Sequence, residues 1–183
     1  MVNKLSYLLL TIIGIFISCA NQKLLLKKSE IPDVIKTNGF YYVKTNEYSK
    51  TLKDSVTNYN FTFYYIDGTF LKHFTSPSLE KEILDFNIKN QYEILKKDQT
   101  NWGLYEIYGS NIIREGWNTS VGGGLPRSRA EGYVKNDSTI VWIKNYAYDN
   151  KCCPKIRSGY EVENHFYPYS PKPDSSNTFL SEY

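Results

Sequence analysis

Apolar and polar residues alternate in short runs along most of this chain, and alternation of period two reads as half-buried strand. The first run covers residues 40–45. Residues 59–66 and 69–75 flank Asp67-Gly68, a dipeptide that favours tight hairpins because its residues tolerate positive φ. Phe61, Phe63 and Tyr65 share one face of the first arm, and Phe70 and Phe74 share one face of the second. Residues 102–108 turn at 109–111 into 112–117. Residues 129–135 turn at Asn136-Asp137-Ser138 into 139–145, and a last run is 159–167. About eight short strands, mostly hairpin neighbours, predict an all-β, antiparallel meander closed as a barrel or stacked as a sandwich.

One segment breaks the alternation. Leu79, Ile83 and Phe86 fall at i, i+4 and i+7, a helical stripe, and Ser76-Pro77 supplies an N-cap with Pro at the first helical position. This predicts one short helix over 76–87. Lys27-Lys28-Ser29 and Pro32-Asp33 interrupt any pattern before the first strand, so residues 19–37 read as a tether. The strand-rich body is 38–168. The Pro-rich, polar end, 169–183, reads as a loose tail with Phe179 and Leu180 able to dock back.

The N-terminus has a different character. Lys4 precedes a mostly apolar run from Leu5 to Ile17. That run is shorter than the roughly 20 residues of a membrane span and fits the apolar region of a secretory signal. It ends in Phe16-Ile17-Ser18-Cys19-Ala20, which resembles the lipobox of bacterial lipoproteins, with Phe16 where Leu is commonest. The resemblance implies that residues 1–18 are a signal peptide, cut before Cys19, and that Cys19 carries palmitate-type acyl chains. One myristoyl chain holds a protein only marginally, at ~0.8 kcal/mol per buried methylene, whereas three chains would anchor it durably. Ala20, where some Gram-negative lipoproteins carry a retention Asp, implies the outer membrane, and no acidic run follows Cys19, which implies its periplasmic face.

A second resemblance concerns the body. Gly-Phe-Tyr-Tyr at 39–42, Tyr-Tyr-Ile-Asp-Gly-Thr-Phe at 64–70, Gly-Leu-Tyr-Glu-Ile-Tyr-Gly at 103–109 and Glu-Gly-Tyr-Val-Lys-Asn-Asp at 131–137 give a hairpin rhythm. It is similar to that of small lipocalin-like lipoproteins of Gram-negative bacteria. The likeness covers about residues 38–147 and implies a barrel, without a catalytic motif.

Composition changes this picture little. Lys, Asn, Ile, Tyr and Phe are plentiful, Tyr alone numbering 17, as an A/T-rich genome would give. The same aromatics also suit strands or a recognition surface. A formal charge of +3 is too mild to argue for nucleic acid.

Candidate chemistry is sparse. His73 and His165 are the two histidines available as bases, and no Gly-x-Ser-x-Gly elbow occurs, so catalysis is not expected. Glu161, Glu163 and His165 share a strand face and offer metal-ligating side chains, but a solvated face with Tyr160, Val162 and Phe166 turned inward accounts for them. Cys152-Cys153-Pro154 admits a strained vicinal disulfide, two free thiols or pairing with another chain. Gly122-Gly123-Gly124 lacks the Lys-Ser/Thr of a phosphate loop and reads as a flexible connection, with Arg127 and Arg129 able to meet an anion. Ser55 and Ser138 sit in Asp-Ser-apolar triplets that resemble O-glycan acceptors.

The expectation is a protein tied to a membrane by lipid, with no cofactor and no metal. Its barrel, lined by residues such as Phe61, Phe63, Tyr65 and Tyr105, would hold a small apolar ligand. A filled barrel presenting its outer face to an envelope protein or glycan is the alternative, and a hydrolase is the remote one.

Overall fold

A computed structural model describes residues 22–49, 54–74, 91–119, 124–148, 154–159 and 161–183. Nine antiparallel strands form one sheet: β1 Gly39–Ser49, β2 Asp54–Tyr64, β3 Thr69–Phe74, β4 Trp102–Tyr108, β5 Asn111–Trp117, β6 Arg127–Asn136, β7 Thr139–Tyr148, β8 Pro154–Ser158 and β9 Val162–Pro168. β1 to β7 follow one another, β9 bridges β7 and β1, and the ring of eight closes as a barrel. β8 pairs with the far half of β7 only, at Asn145–Tyr148, beyond the stretch that β9 occupies. The meander is as the alternation predicts, and of the barrel and the sandwich that it left open the structure has the barrel. The predicted helix at 76–87 and Cys152-Cys153 lie outside the described residues, as does Cys19. A five-residue helix, α1 (Gln91–Leu95), and a single 3-10 turn at Gln99–Asn101 lead into β4. Asp98 caps that turn by accepting from Thr100 N–H.

The hairpins close as the sequence directs, with one refinement. Tyr65 N–H bonds the Thr69 carbonyl and Gly68 N–H bonds the Tyr65 carbonyl, so the first hairpin turns over three residues, 66–68, and not over Asp-Gly alone. Gly68 sits at φ 76°, where an L side chain is strained, and Asp67 braces the turn by accepting from Thr69 N–H and Oγ1. At Asp137-Ser138 a two-residue loop joins Asn136 to its partner Thr139.

Two apolar cores share the sheet. One is the barrel interior, with Tyr41, Tyr64, Phe70, Tyr105, Ile107, Ile112, Val134, Ile140 and Trp142 buried, and Val162 and Phe166 packed against them. All eight barrel strands contribute, and Ile31 and Ile35 close one end. The other core is outside the barrel. Phe40, Phe61, Phe63, Tyr65, Leu71, Trp102, Leu104 and Trp117 face outward, covered by Leu24 and Leu26 from the N-terminal segment and by Tyr169 and Leu180 from the C-terminal one. Tyr92 and Leu95 of α1 pack against the same cluster.

This corrects the expected pocket lining. Of Phe61, Phe63, Tyr65 and Tyr105, Tyr105 alone points into the barrel. Both faces of β1 to β4 are apolar, so alternation marks two faces without saying which is inside. The end segments also differ from a tether and a loose tail. Leu24, Leu26, Ile31 and Ile35 are buried, Leu180 is fully buried, and Lys28 N–H bonds the carbonyl of Tyr183. Lys172 Nζ donates to the carbonyls of Thr37 and Tyr64 and lies 4.1 Å from the centre of the Tyr65 ring.

Glu115 fixes the N-terminal segment. It faces outward on β5, is wholly buried, and its Oε2 accepts from Leu25 N–H at 2.6 Å and Leu26 N–H at 3.1 Å. Its Oε1 lies 3.3 Å from Arg129. Removing one member of a buried ion pair costs about 3–5 kcal/mol, so Glu115→Ala is expected to lower the unfolding free energy from urea titration by an amount in that range. Gly103 faces the Phe70 ring, and an added Cβ would collide with that ring and with the Glu115 carbonyl. Gly103→Ala is expected to cost about 1–3 kcal/mol in the same measurement, with the unfolding slope unchanged.

Candidate functional site: a cationic cup in the barrel

The interior changes character along its length. The end carrying the turns at 66–68, 109–110 and 137–138 is filled with aromatic and aliphatic side chains. Towards the other end many inward positions become polar or small, Asn60 and Thr62 on β2, Lys72 on β3, Arg114 and Gly116 on β5, Ser128 and Ala130 on β6, Asn145 on β7 and Asn164 on β9, while Val43 on β1 and Val162 on β9 stay apolar. Two adjoining cavities lie there. One, of about 510 Å³, is lined by Phe70, Lys72, Arg114, Trp117 and Asn118 among others. The second, of about 210 Å³, shares Lys72 and Arg114 and adds Val43, Thr62, Trp142 and Asn164.

Two cations define the chemistry. Arg114 lies with its guanidinium 4.4 Å from the centre of the Trp142 ring and 5.8 Å from that of Phe70, and its Nη1 is 3.4 Å from the Tyr64 hydroxyl. A cation over an aromatic face is held electrostatically and oriented by it. Lys72 Nζ donates to the Trp117 carbonyl at 3.2 Å. Burial pushes the Lys72 ammonium down to about 8, and the charge of Arg114 adds to that, against a smaller opposing pull from Asp98. Among the described residues, no Asp or Glu lines either cavity. Trp142 Nε1 and Asn164 Oδ1, both buried, have no hydrogen-bond partner among the described residues.

Of the candidate site residues singled out from sequence, Arg129 borders the larger cavity, Phe61 and His73 border the smaller one, and the others lie elsewhere. Glu163 pairs with Lys135 at 2.8 Å and stands 3.8 Å from His165, both on the exposed face of β9. Val162 and Phe166 turn inward, as that reading requires. No group of three His, Cys, Asp or Glu that could hold a metal occurs among the described residues. His73 stacks on Phe61, ring centres 6.2 Å apart, on the outward face of β3. Arg129 is engaged by Glu115 and Glu131, and Arg127 lies 4.2 Å from the centre of the Tyr148 ring. Ser138 Oγ bonds Asp137 and accepts from Lys36 Nζ, while Ser55 is exposed on β2. The cup itself was readable as interruption: Lys72 follows Phe70 two residues on, and Arg114 stands between Ile112 and Gly116, each a charge in an inward stripe begun by an apolar residue.

No family model, no curated protein and no solved structure matches the chain. The chain folds as a small antiparallel β-barrel with a doubly packed wall and a polar cup at one end. No described helix is long and apolar enough to cross a membrane.

The buried ionisable groups set a pH profile. Lys72 and Lys172 are both pushed down to about 8 by burial from an ordinary value of 10.5. Between those values the unfolded chain binds protons that the folded one has shed, so stability rises with pH. Tyr41, Tyr64, Tyr65 and Tyr105 are raised by burial from 10.0, so above that value the unfolded chain sheds protons that the folded one keeps, and stability falls. Urea midpoints measured from pH 7 upward are expected to climb through pH 8 and turn over above 10, with Lys172→Met removing part of the climb. A flat profile over this span would contradict the burial of these groups.

Proposed function

We propose that this chain is a lipid-anchored protein of the bacterial cell envelope that holds a small ligand in the polar end of its barrel. The carrying observation is the cavity of about 510 Å³, which lies where the lower barrel's aromatic filling stops. The anchor reading rests on the signal-like N-terminus and on Cys19. Its placement beside the cavity is supported by Gln22, whose N–H bonds the Leu125 carbonyl and whose carbonyl accepts from Trp117 Nε1. Trp117 also lines the cavity. Three peptide units separate Cys19 from Gln22, a span of at most about 11 Å. An acylated Cys19 would therefore bring the cup end of the barrel against the bilayer, at the periplasmic face of the outer membrane.

The filled lower half favours the second reading, an interaction protein for an envelope protein or glycan. Leu25, Ile66, Ile94, Tyr108, Ile156 and Tyr167 are exposed, and they come from six different elements or turns. Such single exposed residues are ordinary on soluble proteins, whereas a docking face would gather them. The cavity therefore weighs more than the surface.

Two measurements test the reading. Expressed in a Gram-negative host with labelled palmitate, the full chain is expected to take up label and sediment with membranes, and Cys19→Ser is expected to do neither. An unlabelled, water-soluble wild-type product would overturn the anchor. Native mass spectrometry of the delipidated domain is expected to show a retained small molecule, and an apo mass under repeated gentle conditions would overturn the ligand.

A further inference from the structure

We propose that the cup is built for a small organic anion, whose carboxylate or phosphate group sits between Arg114 and Lys72 and whose second polar group meets Trp142 Nε1 and Asn164 Oδ1. This rests on the reading that the barrel holds a ligand, and it names that ligand's chemistry.

Three observations converge. The first is charge. Arg114 on β5 and Lys72 on β3 both face inward and line both cavities, Arg129, paired with Glu115 and Glu131, borders the larger one and Lys144 the smaller, and no Asp or Glu is among the described lining residues. Bringing two cations into one partly buried space is unfavourable, and an anion between them offsets it. Arg114's described contacts are a phenol hydroxyl and two aromatic rings, which orient the guanidinium and leave its charge for a ligand. A guanidinium presents paired donors that match carboxylate and phosphate oxygens.

The second is the pair of orphaned polar atoms. Trp142 is 6% exposed and Asn164 4%, both line the smaller cavity, and neither Trp142 Nε1 nor Asn164 Oδ1 is satisfied among the described residues. An indole N–H can only donate, and a carboxamide oxygen accepts. Native proteins satisfy nearly all such buried atoms, so a donor and an acceptor left open on one cavity wall suit a group that both accepts and donates, such as a hydroxyl or an amide.

The third is connection. Arg114 lies over the indole of Trp142, so the charged and the neutral halves of the site meet on one ring. An alkyl or aromatic body would then lie against the Phe70 ring in the larger cavity.

A free anion and the acidic head of an amphiphile share this chemistry. Hexanoate, 4-hydroxybenzoate and phenyl phosphate probe the first source, and dodecanoate and dodecyl phosphate the second, each paired with its neutral amide or alcohol. The readout is the Trp142 indole N–H resonance of the intact soluble domain, assigned through Trp142→Phe. Anions of at least one source are expected to shift it saturably and at least tenfold more tightly than their neutral partners. Binding is expected to weaken as salt rises and as pH passes 8, and to be lost in Arg114→Met but partly kept in Arg114→Lys. If Arg114→Met fails to fold, the salt and pH dependence of the wild type decides. Neutral partners binding as tightly as anions would overturn the charge assignment while leaving the barrel a ligand carrier. No shift of the indole by any anion would overturn the proposal itself, and a small molecule retained in native mass spectrometry would still uphold the carrier reading.

Discussion

A carboxylate taken wholly out of water must find partners, and in this barrel Glu115 finds them in the chain's own N-terminal segment. One oxygen accepts two consecutive backbone N–H groups, from Leu25 and Leu26, and the other faces Arg129. Two N–H groups in succession form a small anion cradle, so the fit is geometric as well as electrostatic. The carboxylate is satisfied only when residues 24–26 lie along β5, and that position covers Trp117, Trp102 and Leu104. The segment and the wall therefore stabilise each other, and neither is complete alone.

That arrangement relieves the interior of part of the work of making a core. Small barrels normally bury their aromatics inside and leave the outside wet. Here Phe40, Phe61, Phe63 and Tyr169 form edge-on ring contacts on the outside, with ring centres 4.9 to 5.9 Å apart, and Tyr65 stacks on Trp102. The apolar area buried under the end segments supports the wall from without. Half of the interior can then carry Lys72, Arg114, Asn60, Asn145 and Asn164, residues that a barrel stabilised from within alone would hold at greater cost.

Much of the architecture was legible in the sequence, because alternation over residues 40–45, 59–75, 102–117 and 129–145 has one simple meaning, antiparallel hairpins. Closure was not, since the same hairpins serve a barrel or a sandwich. The inside was not, since an apolar stripe on each face of β2 looks the same whichever face a later segment covers. The end segments were opaque for a related reason: Leu24, Leu26, Ile31 and Ile35 pack as irregular chain, with no period to betray them, and Pro171 and Pro173 disguise a segment that runs to a fully buried Leu180. β8 was missed because a five-residue Pro-Lys-Ile-Arg-Ser stretch has no stripe of its own. Lys72 and Arg114 were visible as lone charges among inward residues, but they gain meaning only once the barrel brings β3 and β5 around one cavity.

The central claim is that residues 22–28 belong to the barrel wall. Hydrogen exchange at the amides of Leu25 and Leu26 tests it most directly. Bonded to a buried carboxylate, they are expected to exchange only through opening on the scale of global unfolding, with protection close to that of the β4 and β5 amides. Exchange at the rate of an unstructured peptide, in a barrel whose β4 and β5 stay protected, would contradict the account.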